Sequence, residues 1–93
     1  MEISIEEELL KRMNESTYVF TRLCHRSIEK TKDGVFGFQI TQGLWFKLRI
    51  FLLKREGDDK KFDIVFVDKF FGQQKARDKM HELQQKYLKN EQQ

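Results

Sequence analysis

Leu44, Phe46, Leu48, Ile50 and Leu52 stand at every second position of one stretch, the longest two-residue period in the chain. Such a period places these side chains on one face of an extended strand, whereas a helix would scatter them around its axis. A lone strand leaves its backbone donors and acceptors unpaired, so this one requires neighbours and a layer to cover its apolar face. The chain must therefore build a sheet.

The neighbours are readable on both sides. Phe36, Phe38 and Ile40 alternate with Val35, Gly37 and Gln39, and Phe62, Ile64 and Phe66 repeat the pattern further on. Thr17 to Ile28 is rich in β-branched and aromatic residues. Lys32-Asp33-Gly34 and Gln42-Gly43 read as turns, and Arg55-Glu56-Gly57-Asp58-Asp59-Lys60 as a polar hairpin loop. These signals predict strands over about 17–28, 35–41, 44–54 and 61–67. Connections this short favour an antiparallel meander over parallel crossovers. Gly37, inside an apolar strand, marks a bulge or a close approach by another group.

Helical spacing brackets the meander. Ser4 followed by Glu7 fits a capping box, and Ile5, Leu9 and Met13 then form one apolar stripe over about 4–14. Glu7–Lys11 and Glu8–Arg12 are spaced as i,i+4 pairs, and Glu82–Lys86 repeats the spacing near the other end. Ala76, Met80, Leu83 and Tyr87 line one face of a second helix over about 72–90. The expected fold is a single α+β domain over 1–93: a two-layer sandwich in which both helices lie on one face of a four-stranded meander.

Composition narrows the function classes. Ninety-three residues make one small core, and nine phenylalanines are too many for a disordered chain. No apolar run approaches the ~18 residues of a membrane-spanning helix. The opening residues are acidic, the reverse of a basic targeting peptide. Cys24 stands alone, which excludes an internal disulfide and fits a reducing, intracellular compartment in the cytoplasm or nucleus. Net charge is +3, but residues 1–15 carry −3 and the remainder +6, so the main body suits an anionic partner.

The face of the third strand opposite its apolar row carries Trp45, Lys47, Arg49, Phe51 and Leu53, joined by Gln39, Thr41, Asp63, Val65 and Val67 from the neighbouring strands. Trp and Arg are frequent anchors of protein interfaces. Aromatic rings among cations also suit stacked bases and phosphates. Without a partner, such a face packs on its own loops or on a second copy. Lys75, Lys79 and Lys86 line a flank of the last helix, where they form a solvated surface or track a phosphate backbone or an acidic membrane headgroup layer; Asp78 and Glu82 interrupt the field.

No catalytic constellation is readable. Cys24 and His25 are adjacent, and neighbours in a strand point to opposite faces, so no thiol–imidazole pair is expected. His81 has no companion ligands at metal-binding spacing, and no glycine-rich phosphate loop is present. Neither an enzyme nor a cofactor is expected. The chain reads as a non-catalytic interaction module that holds another protein, self-association included, through Trp45, Lys47, Arg49 and Phe51 or an edge strand. The alternative is an RNA- or single-stranded-DNA-binding module using the same face with Lys75, Lys79 and Lys86.

The order of helix, meander and helix is similar in outline to the C-terminal kinase-associated domain, a resemblance that implies acidic lipids and a kinase domain as contacts. It also resembles the double-stranded RNA-binding domain, whose last helix opens with a basic Lys-Lys-x-Ala-Lys element. Here Gln73-Gln74-Lys75-Ala76-Arg77 stands at that place, in which Ala76 and Arg77 fit and the leading lysines are missing, and four strands replace three. Neither outline extends to a diagnostic motif, so no family is claimed.

Overall fold

A computed structural model describes residues 4–17 and 20–89. The chain runs α1 (Ile5–Glu15), β1 (Arg22–Lys30), β2 (Val35–Gln42), β3 (Phe46–Glu56), β4 (Asp59–Phe70) and α2 (Gln73–Lys89). The strands form one open antiparallel sheet in the order β1-β2-β3-β4. The expected α+β order of helix, meander and helix is what the molecule adopts. The first strand starts later than expected, because Ser16, Thr17, Phe20 and Thr21 are turn and bend; Tyr18 and Val19 lie outside the described residues, as does Asn90.

The Ser4 side chain accepts from the Glu7 amide at 3.2 Å, closing the first turn of α1. Gly57, at φ +65, supplies the left-handed residue of the tight β3–β4 turn. At the β1–β2 turn, the Thr31 amide and hydroxyl both donate to the Gly34 carbonyl.

The layering differs from expectation. α2 covers the even-numbered face, where Ala76, Met80 and Leu83 pack with Phe36, Phe38, Ile40, Leu48 and Ile50. α1 lies on the opposite face, where Leu9 and Met13 pack with Val35, Phe51 and Leu53. The molecule is thus helix, sheet, helix, with two apolar clusters sharing the strands between them. The cause is that β2 and β3 are apolar on both faces at one end. Phe51, expected on an exposed surface, is fully buried beneath α1. Gly37 makes the seat possible: a β-carbon there would lie 2.5 Å from the Met13 sulfur and 3.3 Å from Leu9 Cδ2.

Two bulges set the remaining register. Cys24 is skipped between Leu23 and His25, and Val65 between Ile64 and Phe66. Before the second bulge Ile64 and Phe62 oppose Phe51 and Leu53, so they face α1 rather than α2, and Asp63 opposes Leu52. Val65 packs on the α2 side, away from the open face to which strict alternation assigned it.

Helix length decides what stays uncovered. At 1.5 Å per residue, α2 spans about 26 Å and α1 about 16 Å. At about 3.4 Å per residue, β3 runs roughly 37 Å. α1 sits over the end of its face that holds Val35 and Leu53 and leaves the opposite end, near the β2–β3 turn, open.

Candidate functional site

The open end is built from three connections that the meander brings together: residues 20–21 ahead of β1, the 43–45 turn, and residues 71–72 after β4. Arg22 opposes Gln42, and Gln42 and Phe70 both oppose Phe46, so these segments share one end of the sheet. Their large apolar side chains are not packed away. Phe20 is 98% exposed, Leu44 96%, Phe71 82% and Trp45 42%. The Trp45 and Phe71 rings meet edge-on, with centroids 4.6 Å apart and planes at 84°.

Behind this rim, on the α1 side, lies a cleft of about 360 Å³ lined by Thr21, Thr41, Gly43, Leu44, Trp45, Lys47, Arg49 and Lys69. A smaller one of about 200 Å³ lies between Trp45, Lys69, Phe70 and Phe71. The floor is polar. Arg49 is only 6% exposed, and its Nη1 donates to Thr41 Oγ1 at 2.9 Å. Gln39, also buried, accepts from Arg26 Nε and Nη2 at 2.9 and 2.8 Å and donates to Thr17 Oγ1 at 2.9 Å. Thr17 in turn donates to the Met13 carbonyl, which ties the end of α1 to Gln39, the cross-strand neighbour of Arg49.

Among the described lining residues, charge has one sign. Lys47 stands opposite Lys69 across the β3–β4 pair, and Arg49 follows two residues along the same face. No acidic residue is among the described lining residues. Lys47 has its pKa held below the ordinary lysine value, first by partial burial and then by the positive charges of Arg49 and Lys69.

Of the residues expected to form a site, Trp45, Lys47 and Arg49 therefore come together, and Phe51 does not join them. Lys75, Lys79 and Lys86 belong to α2, on the other side of the sheet. Lys79 pairs with Glu82 at 2.8 Å, so the ion pair of Glu82 runs to Lys79 rather than to Lys86. Glu8, expected to pair with Arg12, meets Lys60 at 3.4 Å instead.

Lys69, Phe71 and Phe20 enter the site without having been singled out, and Leu44, expected to open the covered apolar row of the third strand, lies instead in the turn before β3 with its side chain in solvent. The signal for Lys69 was the continued alternation of Val67 and Lys69 beyond the expected strand end at 67.

Cys24 and His25 correct another expectation. The bulge suspends strict alternation, and Cys24 packs with the α2-side cluster while His25 opposes Ile40 on that same side. They still form no nucleophile and base: the thiol approaches the Arg22 carbonyl at 3.9 Å, and His25 Nε2 is 3.2 Å from Ser27 Oγ. Burial, then Arg77, then His81 lower the His25 pKa. Comparison of the chain with protein-family models, curated proteins and solved structures finds no match.

Proposed function

We propose that this protein is a non-catalytic interaction module that binds another protein through the aromatic and basic end of its half-open sheet face. The observation that carries this is the exposure of Phe20, Leu44 and Phe71 beside Trp45 at one end of the molecule. Leaving a large apolar side chain in water rather than burying it forgoes about 1.5–3 kcal/mol, and a cluster of them marks a contact surface. A Trp at the rim of a polar-floored cleft is the kind of anchor that dominates interface energetics. The face is a better contact than the sheet edges, because each edge strand carries a bulge, a device that discourages strand addition.

Binding of RNA or single-stranded DNA at the same cleft is the second reading, favoured by Lys47, Arg49 and Lys69 around Trp45. One experiment separates the two. With the photo-reactive residue p-benzoylphenylalanine in place of Leu44, irradiation in cell extract is expected to give protein adducts that Lys47→Glu reduces. The same probe at Lys86 on α2 should give none of them. Nuclease-sensitive adducts would establish the second reading, and no specific adduct at position 44 would overturn both.

A further inference from the structure

Lys47 and Lys69 are directly opposite across two strands, and like charges so placed weaken a sheet. Arg49 adds a third cation on the same face, buried and aimed by Thr41. The facing pair of Lys47 and Lys69 gains nothing in stability from its own juxtaposition. The arrangement becomes favourable when an anionic group enters, since carboxylate oxygens can accept charge-assisted hydrogen bonds from such donors.

The surroundings decide which anion. A cleft of about 360 Å³ holds one or two side chains rather than a strand of nucleotides. Trp45 and Phe71 meet edge-on, so they do not offer parallel ring faces on which successive bases would stack. Leu44, at the mouth, is aliphatic and has no ring to stack on a base. Beyond the cleft the face has one further cation near Arg49, Arg26, whose guanidinium is bound to Gln39 Oε1; β4 continues back to Val67, and the lysines of α2 lie beyond the sheet.

We infer that the cleft receives an acidic, partly apolar segment of the partner protein, with a carboxylate among Lys47, Arg49 and Lys69 and an apolar neighbour against Trp45 and Leu44. This rests on the protein-binding reading above and specifies its ligand. Charge complementarity positions the segment and the apolar contact holds it, so affinity falls as salt rises.

Selection of phage-displayed random dodecapeptides on the full chain tests the inference. Enriched sequences are expected to pair Asp or Glu with Leu, Phe or Trp within a few residues. An enriched peptide, titrated in solution, should perturb the emission of Trp45, the chain's sole tryptophan and therefore a reporter built into the cleft. Replacing the peptide's acids with the matching amides should weaken binding at least ~10-fold, as should Lys69→Glu in the protein.

Lys69→Glu has a second readout that a structural role would not give. It replaces a like-charge pair with an opposite one, so the melting midpoint should rise by about 2–5 °C while peptide binding is lost. Enrichment of neutral or basic peptides, no enrichment at all, or equal binding of the amide peptide overturns the inference. The protein-binding reading would still stand on the position-44 adducts. Quenching of Trp45 by oligo(dT) or oligo(U) without peptide binding, together with nuclease-sensitive adducts, would overturn both.

Discussion

His25 and Lys47 are cations whose surroundings favour the neutral form, and the consequences differ because their ordinary values lie on opposite sides of neutrality. For Lys47, burial and then the charges of Arg49 and Lys69 lower the pKa, so the penalty on its charged form is relieved as pH rises toward the ordinary lysine value. For His25 the shift falls where it can be observed. Its folded-state pKa lies below the ordinary value of about 6.5, so the unfolded chain binds the proton first as pH falls. The contribution is intact above about pH 6.5 and is lost as pH drops through the folded value. Chemical denaturation between pH 7.5 and 5 should therefore show stability declining on acidification. The decline should be shallower in His25→Gln, and the difference between the two proteins isolates this group from the carboxylates. Equal slopes would mean that neither burial nor the charges of Arg77 and His81 perturb the imidazole.

At the scale of elements, α1 depends on a missing β-carbon. Gly37→Ala places a methyl within 2.5 Å of the Met13 sulfur, in a cluster where Leu9, Met13, Phe51 and Leu53 are fully buried. Overpacking of this kind costs about 1–3 kcal/mol, less whatever the methionine side chain can yield. Met13→Ala should cost about 2–5 kcal/mol by itself through the cavity it leaves. The double variant should be more stable than the sum of the two effects, a coupling that a denaturation-based mutant cycle would measure. Additive effects would show that the helix shifts freely over the sheet.

The same glycine illustrates what was legible in the amino-acid order. A close approach at Gly37 was readable, because a strand interior seldom carries glycine without a reason. Which helix approached was not, since Val35, Phe51 and Leu53 could equally continue one core or begin a second. The row from Phe46 to Leu52 and the stripes of both helices were plain from period alone. The bulges at Cys24 and Val65 were not, because an added residue changes parity without changing composition. Trp45, Lys47 and Arg49 were visible as a set, and Lys69 escaped because its strand runs past the point where polar residues implied its end.

For the molecule as a whole, the two helices hold unequal shares of the sheet. α2 contributes Ala76, Met80 and Leu83 as buried residues with Tyr87 and Leu88 packed beside them. α1 contributes Leu9 and Met13, with Ile5 beside them. Fewer buried contacts mean a smaller free energy of local opening. Amide hydrogen exchange under native conditions should accordingly be faster in α1 than in the middle of α2, with β2 and β3 slowest; protection of α1 equal to that of β3 would count against this ranking. A four-stranded sheet with apolar clusters on both sides acts as a party wall between two rooms. Opening the smaller room, roofed by α1, is expected to leave the larger one standing, with the strands held in line from the α2 side.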